Sequence, residues 1–378
     1  MQFAGMAFEM DIDLAKHSQT KGVTELAHTI LAVNPGSTST KVMVIKNQEA
    51  VLRETIYHPH EEIEKYPSII GQVPMRKDVI EAMLEKSGIT ITELSAVVGC
   101  GGLLPPVGTG GYVVNKRMLD MIESEEIPAH ASNLGAVIAH AIAAPLGKPA
   151  YIYDAVSAGI LPAKAKITGF KEIERRSLHH VLNSRAMARK YAEGIGKKLS
   201  ELNLVVAHLG GGISGGAYAG GELVDSFADD NGPFAPQRSG GVPLMDFIEL
   251  CFGGQFTKAD MRKKVRGMGG LRALLGTSDG MEVAKMVDAG DERATLVMDA
   301  LAYQVAKGAM GLLPALYGNC DAVILTGGLA YNQQLVSDIV KYIGKNLPVS
   351  VMPGEAEMEA LAYGALRILR GEEEALEF

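Results

Sequence analysis

Short apolar runs rich in Val, Ile and Leu alternate along the chain with longer stretches whose apolar residues recur at helical spacing. Because the short runs are apolar at successive positions, they predict strands that are buried on both faces. The predicted strands cover residues 30–34, 41–45, 96–99, 150–154, 204–209, 322–327 and 349–352. Strands that alternate with helices in this way predict an α/β fold.

The helical stretches lie between these runs. Two helices are predicted to begin at Asn133 and Asn183, and a third is predicted to follow Thr257, a suitable N-cap. A long helical pattern covers residues 292–317, with a bend expected at Pro314, and the last one covers residues 357–369.

Two places along the chain share a strand, a turn of small residues and a second strand. The first turn lies in VNPGSTSTK (33–41), and the second lies in HLGGGISGG (208–216). Backbone N–H groups in such turns form anion-binding concavities, and hydroxyl side chains add donors. Although Gly, Ser and Thr also make ordinary hairpins, the repeat predicts two phosphate-binding turns in a duplicated fold with a cleft between its halves. LTGGLAYN (325–332) adds a third turn after a strand.

Residues 210–215 also match the G-x-G-x-x-G spacing of dinucleotide-binding folds, with Asp229 and Asp230 at a suitable distance beyond. In such a fold the third glycine opens a helix. Here the chain continues as GAYAGGELVDSF, without a helical period, which favours a hairpin over an NAD site. No G-x-x-x-x-G-K-[ST] motif occurs, which excludes a P-loop kinase.

Composition narrows the class of protein. A chain of 378 residues usually needs more than one core, and 47% hydrophobic with only 6% aromatic content suits aliphatic α/β layers. A net charge of −8 without a basic face argues against a nucleic-acid partner. Three widely spaced cysteines give neither a disulfide framework nor a metal-ligand spacing. The sequence contains neither an apolar run of membrane-spanning length nor a secretory signal, so we expect a cytoplasmic protein without a membrane partner. Residues 1–28 are expected to form an N-terminal extension.

The small-residue turns belong to a larger set of motifs. VNPGSTSTK matches every specified position of the first signature of the acetate and propionate kinase superfamily, which has the actin-like ATPase fold. The other stretches that resemble this family are HASNLGA (130–136), RRSLHHVLNSRAMAR (175–189), HLGGG (208–212), PQRSGG (236–241), LTGGLAYN (325–332) and PGEAEMEALAYGA (353–365). They cover the chain from about Ile30 to the end, and HASNLGA resembles the butyrate kinase branch.

The resemblance implies two duplicated ribonuclease H-like domains with the active-site cleft between them. The first would comprise residues 29–155 plus 355–378, and the second, on the nucleotide side, residues 156–354. It also implies a reversible transfer of the ATP γ-phosphoryl group to a short-chain fatty acid, butyrate or a branched acid, which gives an acyl phosphate and ADP and requires Mg²⁺. A homodimer or higher homo-oligomer is expected.

The resemblance assigns roles to single residues as well. Phosphoryl transfer develops negative charge on the equatorial oxygens, so an enzyme must supply positive charge and donors there. Arg238 would supply the charge through its planar fork, and Asp154 would orient a metal-bound water or activate the substrate. The residues alone leave His179 and His180 as alternatives, while the family pattern makes His180 the donor. The residues implied in phosphate or ATP binding are Ser37, Thr38, Ser39, Lys41, His208, Gly210, Gly211, Gly212, Asp279, Gly327, Gly328 and Asn332.

Asn34 and Glu357 would hold the metal, since Mg²⁺ takes one or two carboxylates and keeps several waters. Glu355 and Glu359 stand close enough in sequence to leave the choice of carboxylate open. Cys100 stands where butyrate kinases usually have Arg; either the acceptor site differs here, or Cys100 is a small buried residue.

Two other hypotheses remain from the sequence. One is an NAD-linked oxidoreductase that uses residues 210–215. The other is a non-catalytic actin-like nucleotide sensor, in which His180 and Arg238 would have no purpose.

Overall fold

The computed structural model describes residues 27–124, 126–345 and 347–378. These residues divide into two compact units. The first unit contains the described residues up to Gly159 together with Ala356–Phe378, and the second contains Ile160–Glu355. Nearly all of the predicted N-terminal extension, residues 1–28, lies outside the described residues.

Strands and helices alternate in both units. The strands are β1 Thr29–Pro35, β2 Ser39–Lys46, β3 Glu49–Tyr57, β4 Ala96–Cys100, β5 Gly111–Val113, β6 Ala150–Tyr153, β7 Asn203–Leu209, β8 Ile213–Ala219, β9 Glu222–Phe227, β10 Ala322–Gly327 and β11 Val349–Pro353. The helices are α1 His60–Ile63, α2 Val73–Lys86, α3 Lys116–Glu123, α4 Leu134–Ala143, α5 Ala163–Lys166, α6 Val181–Gly194, α7 Leu244–Phe252, α8 Lys258–Val265, α9 Leu271–Leu275, α10 Gly280–Asp288, α11 Glu292–Gly311, α12 Gln333–Ile343 and α13 Glu357–Leu369.

The two sheets have the same topology. In the first unit the strand order is β3-β2-β1-β4-β6-β5, and in the second it is β9-β8-β7-β10-β11. Each order begins with three antiparallel strands that are consecutive in the chain. The earliest of the three in sequence, β1 or β7, also pairs in parallel with the next strand in the order, β4 or β10. Apart from the short antiparallel β5, the two orders correspond strand for strand, which confirms the predicted duplication.

The predicted strands are all present, because their apolar residues form the two cores. In the first unit β1 and β4 are buried, and α4 and α13 pack against them. In the second unit β7 and β10 belong to a large apolar cluster that also includes residues of α11 and α12. β3 has no counterpart among the predicted strands, because most of its residues are exposed at the edge of the sheet.

Helix boundaries differ from the predictions in two places. α6 begins at Val181, two residues before the predicted start at Asn183. The long pattern of residues 292–317 is interrupted near the expected bend, since α11 ends at Gly311 and a 3₁₀ turn, Leu313–Leu316, follows. Pro314 lacks the N–H that an α-helix would need there. Thr257 caps α8 as predicted, since its Oγ1 accepts a hydrogen bond from the Asp260 N–H.

One helical segment among the described residues, Glu292–Leu316, is long and apolar enough to meet the length and hydropathy criteria for a membrane span. Its buried residues, such as Leu301 and Val305, pack in the apolar cluster of the second unit. A core helix meets the same criteria, and this packing accounts for the apolar composition of the segment.

Candidate active site

The glycine turn of the second unit joins two antiparallel strands. β7 ends with His208 and Leu209, the N–H of Gly210 donates to the carbonyl of Gly212 at 3.1 Å, and β8 begins at Ile213. No helix opens at Gly215, which lies within β8. The turn is therefore the predicted hairpin, and it lacks the strand–turn–helix geometry of a dinucleotide site.

Two histidines stack beside this turn. The rings of His180 and His208 lie 3.9 Å apart between centroids with an angle of 13° between their planes. A Cβ built on Gly210 would lie 2.8 Å from Nε2 of His208, and one built on Gly212 would lie 3.8 Å from Cε1 of His180. Small residues at these two positions keep the space in front of both rings open.

Ser214 holds the ring of His180. Its Oγ accepts a hydrogen bond from the backbone N–H of His180 at 3.2 Å and lies 2.8 Å from Nδ1 of the same residue. If the hydroxyl donates its proton to Nδ1, the neutral ring carries its own proton on Nε2. Burial lowers the pKa of His180, so the ring is neutral at neutral pH. In this tautomer Nε2–H is a hydrogen-bond donor.

A buried polar chain fixes His208. The Asn183 Nδ2 group donates to Nδ1 of His208 at 2.9 Å and to Oγ1 of Thr326 at 3.3 Å, and that hydroxyl donates to the carbonyl of Gly354 at 3.1 Å. Nε2 of His208 lies 3.9 Å from Oε1 of Glu355. Burial, followed by the neighbouring histidines, lowers the pKa of His208 well below its usual value. His208 is therefore a neutral, oriented ring.

The neighbouring His179 is held inside the unit. Its Nδ1 lies 3.0 Å from the Ser177 hydroxyl and its Nε2 lies 2.8 Å from the Tyr218 hydroxyl. Burial lowers the pKa of His179 to about 3. Since both of its ring nitrogens have partners within the chain, this geometry favours His180 over His179 as the residue that meets a ligand.

Arg238 approaches the same turn. The Cβ position of Gly212 lies 3.9 Å from Cγ of Arg238, so this side chain and the His180 ring flank one residue of the turn. Arg238 Nε donates to Oδ2 of Asp229 at 2.9 Å, and Arg266 Nη2 donates to the other oxygen, Oδ1, at 2.8 Å. The side chain of Arg238 is 27% exposed. Asp229 therefore orients a guanidinium that remains open to solvent.

Gly327, Gly328 and Asn332 lie at the end of β10. Gly327 has φ = +91°, and a Cβ there would lie 2.4 Å from the Leu209 carbonyl oxygen, so only glycine fits. Asn332 caps α12, and in the same manner Asp279 caps α10. The structure thus gives both side chains a local role.

The starts of α10 and of the 3₁₀ turn after β10 lie close together. A Cβ on Gly280 would lie 2.8 Å from a methyl group of Leu329. Asp279, which directly precedes Gly280, and Gly328, which directly precedes Leu329, therefore belong to one neighbourhood of the second unit.

In the first unit, Asn34, Lys41 and Glu357 form a separate group. Asn34 and Lys41 are directly opposite each other on β1 and β2, so their side chains share one face of the sheet. Asn34 Nδ2 donates to Oε2 of Glu357, the first residue of α13, at 2.9 Å, and Lys41 Nζ lies 4.0 Å from the same oxygen. Lys41 therefore points to the same side of the sheet as Asn34 and Glu357.

The three glutamates considered for the metal site, Glu355, Glu357 and Glu359, have different partners. Glu359 pairs with Arg53, and Glu355 lies beside His208 in the second unit. Among the described residues, Glu357 is the one of these three glutamates that accepts a hydrogen bond from Asn34. Its side chain is 22% exposed, and the donor set of one carboxylate and one amide oxygen fits a hydrated Mg²⁺. Within the described residues no group of three or more His, Cys, Asp or Glu side chains is suited to a metal, so ligand phosphates and water would complete the coordination.

The hydroxyl turn lies between β1 and β2. Ser37 and Thr38 are exposed, and the N–H of Gly36 donates to the Ser39 carbonyl at 2.7 Å. Beneath the turn lies Arg76 of α2, which donates to the carbonyls of Ser37 and Ser39 at 3.2 and 3.0 Å. No sequence motif singles out Arg76, because its position beneath the turn follows from the packing of α2.

Asp154 and Cys100 are both buried in the first unit. Asp154 follows β6 with φ = +42°, an uncommon conformation for a residue other than glycine, and its Oδ1 accepts from the Gly110 N–H at 2.8 Å. The Cys100 Sγ lies 3.5 Å from the Ser132 carbonyl oxygen. Burial, with a smaller effect of Glu357, raises the pKa of this thiol, so it stays neutral. This burial agrees with the simpler interpretation of Cys100.

Three residues of the second unit have positioning contacts that the sequence analysis missed: Ser214, Asn183 and Asp229. Ser214 lies directly across from His208 in the β7–β8 register, as Thr326 does in the β7–β10 register. Asp229 appeared in the sequence analysis only as a candidate for an NAD site. The pairing of strands places Ser214 and Thr326 beside His208, and no local motif reports it.

The chain resembles known proteins in sequence and in structure. A family model described as the Acetokinase family matches residues 162–351, half of the chain. The solved acetate kinase of Porphyromonas gingivalis is 18% identical and has a TM-score of 0.74 over 91% of this chain and 100% of its own. A propionate kinase of Francisella tularensis is 17% identical and has a TM-score of 0.70 over 89% of this chain and 98% of its own. The acetate kinase of Entamoeba histolytica is 16% identical and has a TM-score of 0.72 over 89% of this chain and 98% of its own.

At these identities the structural matches show the fold. They confirm the expectation of an α/β protein with duplicated ribonuclease H-like domains. The family match extends through His180, the glycine turn, Arg238 and the turn after β10. The chain therefore belongs to the acetokinase family, a family of carboxylate kinases.

Proposed function

We propose that this carboxylate kinase transfers the γ-phosphoryl group of ATP reversibly to a short-chain fatty acid, butyrate or a branched-chain acid. The observation that carries the proposal is the convergence of the neutral His180 ring and the Arg238 side chain on Gly212 of the β7–β8 turn. The phosphoryl group in transfer carries negative charge on its equatorial oxygens. A hydrogen-bond donor and a cation beside one phosphate-binding turn would stabilise that charge.

We assign the charge and donor roles to the second unit. Arg238, held by Asp229, would offset the negative charge that develops on the equatorial oxygens. His180 would donate from Nε2, since Nδ1 is engaged with Ser214. Gly210, whose N–H closes the turn onto the Gly212 carbonyl, would hold Gly211 and Gly212 so that their N–H groups, with His208, bind the ATP phosphates. Asp279, Gly327, Gly328 and Asn332 would surround the nucleoside.

We assign the metal and the second phosphate turn to the first unit. Mg²⁺, when bound, would offset charge on the ATP phosphates. Asn34 and Glu357 would hold it, and Lys41 would add a further positive charge. Ser37, Thr38 and Ser39 would donate to phosphate oxygens. Asp154, fixed by Gly110, would orient water or the acceptor carboxylate.

The four-carbon preference rests on the resemblance of HASNLGA, residues 130–136, to the butyrate kinase branch. In this structure Ser132 and Asn133 of that stretch are buried beside the β4 end, where Asn133 Oδ1 accepts from the Leu103 N–H at 2.8 Å. With an uncharged thiol at Cys100, Arg238 would be the arginine that meets the acceptor.

We also propose a homodimer in the cytoplasm. Residues of α7 are apolar but exposed, among them Leu244, Met245 and Phe252. Large apolar side chains together on one helix mark an interaction face more often than a free surface. A monomer in light scattering at micromolar concentration would refute the dimer without affecting the kinase proposal.

Formation of an acyl phosphate tests the function. The purified chain is mixed with ATP, Mg²⁺ and butyrate, and the acyl phosphate is trapped with hydroxylamine while ADP is measured in a coupled assay. We expect equal amounts of hydroxamate and ADP. ADP without hydroxamate would indicate hydrolysis, and nucleotide binding without turnover would support the sensor. In a parallel reaction with NAD⁺ in place of ATP, reduction of NAD⁺ would support the oxidoreductase.

A further inference from the structure

Arg76 is a completely buried cation, with 0% of its surface exposed, on α2 of the first unit. All five of its donors are used. Nε and Nη2 donate to Oε1 of Gln72 at 3.2 and 2.9 Å, and the second Nη2 donor reaches the Ser37 carbonyl at 3.2 Å. Nη1 donates to the Ser39 carbonyl and to Oγ1 of Thr40, both at 3.0 Å.

These acceptors are neutral. In the part of the chain that the structure describes, no carboxylate pairs with Arg76, and its hydrogen bonds go to an amide, a hydroxyl and two backbone carbonyls. A buried charge without a counter-charge is costly, although the hydrogen bonds offset part of that cost. The positive charge at this position therefore calls for an explanation.

The orientation of the turn supplies one. The peptide between Ser37 and Thr38 directs its carbonyl at Arg76, and the described residues contain no cis peptide. In a trans peptide the N–H points opposite to the carbonyl, so the Thr38 N–H points away from the guanidinium. The Thr38 carbonyl in turn accepts from the His58 N–H at 2.9 Å.

His58 completes the support beneath the turn. Its Nε2 lies 2.8 Å from Oγ1 of Thr40, and the residue is buried. The carbonyl sides of the turn therefore face Arg76 and His58, while the Ser37 and Thr38 side chains are exposed.

We propose that Arg76 is a positioning residue for phosphoryl binding, which holds the Ser37–Thr38–Ser39 turn with its donors outward and places an uncompensated positive charge behind it. The inference rests on the proposed function of this turn. The ligand would be the terminal phosphoryl group of ATP or of an acyl phosphate, which ADP lacks. Arg76 itself contacts no ligand in this scheme.

Equilibrium binding of ATP and ADP with Mg²⁺ tests the inference by calorimetry. For Arg76→Met we expect the Kd for ATP to rise at least ~10-fold, while the Kd for ADP stays within about twofold, because only ATP carries the terminal group. The matched control is Ile80→Ala, which removes buried volume one helical turn further along α2. It should lower thermal stability without changing the ratio of the two affinities.

The positioning role would be refuted if Arg76→Met weakened the binding of ATP and of ADP equally. It would also be refuted if Ile80→Ala changed the ratio of the ATP affinity to the ADP affinity. If Arg76→Met does not fold, Gln72→Glu decides the matter, since it places a carboxylate beside Arg76. We expect this variant to fold and to bind ATP at least ~3-fold more weakly with ADP unchanged, and unchanged ATP binding would overturn the inference. A wild-type chain without kinase activity would refute the proposed function, while the affinity ratio would still test Arg76.

Discussion

Replacement of Arg238 tests both the assigned charge and the contact that orients it. Arg238→Ala removes the cation beside Gly212, and loss of one preorganised transition-state group typically lowers kcat by ~100-fold or more. Asp229→Asn leaves Arg238 in place but removes the charge that accepts from its Nε at 2.9 Å. A hydrogen bond to a charged group contributes about 1.5–3 kcal/mol. Because Asp229 is partly exposed, we take the lower value, which predicts a fall in kcat of ~10-fold.

The two effects should not add. If Asp229 acts only by orienting Arg238, the double variant should resemble Arg238→Ala alone. The control is Arg266→Ala, because Arg266 donates to the other oxygen of Asp229 and is about half exposed. We expect its kcat to stay within about threefold of wild type.

The assay is ADP release coupled to a reporter, with ATP and butyrate both saturating, so that kcat is measured directly. Thermal melts check that each variant is folded. Near-normal turnover of Arg238→Ala would refute the catalytic assignment. Full additivity of the two substitutions would show that Asp229 acts independently of Arg238.

Two further predictions concern the neighbouring histidines. His180→Ala should lower kcat by at least ~100-fold with the Kd for ATP unchanged, because His180 is assigned to the transition state, and an equal loss of ATP affinity would instead place it in nucleotide binding. Folding lowers the pKa of His179 from 6.5 to about 3. Between these two pH values the unfolded chain binds a proton at His179 that the folded chain does not bind. The folded state is therefore most stable above pH 6.5, and it loses stability as the pH falls toward 3. Between about pH 7.5 and about pH 5 this amounts to about 2 kcal/mol of unfolding free energy. Urea unfolding of His179→Gln should show a correspondingly flatter pH profile, and a profile parallel to that of wild type would contradict the assignment.

Much of the fold could be predicted from the sequence, because buried strands require apolar residues at successive positions. β1, β4, β7 and β10 are nearly continuous apolar runs, and each was recognisable for that reason. β3 was not, since an edge strand needs fewer buried residues. The start of α6 was placed two residues late because Val181 and Leu182 fit a strand or a helix equally well.

The candidate site was predictable only where local motifs carry the chemistry. Glycine-rich and hydroxyl-rich turns are visible in sequence, as is a family arginine such as Arg238. The residues that orient these groups come from distant segments: Asn183 reaches Thr326, and Asn34 reaches Glu357. The choice between His179 and His180 needs the positions of Ser177, which lies in a loop, and of Tyr218 and Ser214, which lie on β8.

The central claim is that the acceptor is a short-chain carboxylate of about four carbons. The most direct test is kcat/KM for linear and branched acids from two to five carbons, with ATP and Mg²⁺. One methylene in a fitted pocket changes binding by about 1–3 kcal/mol, so we predict a maximum at butyrate or a branched acid, at least ~10-fold above acetate. A maximum at acetate would contradict the butyrate proposal, and no phosphorylation of any acid in the series would contradict the account as a whole.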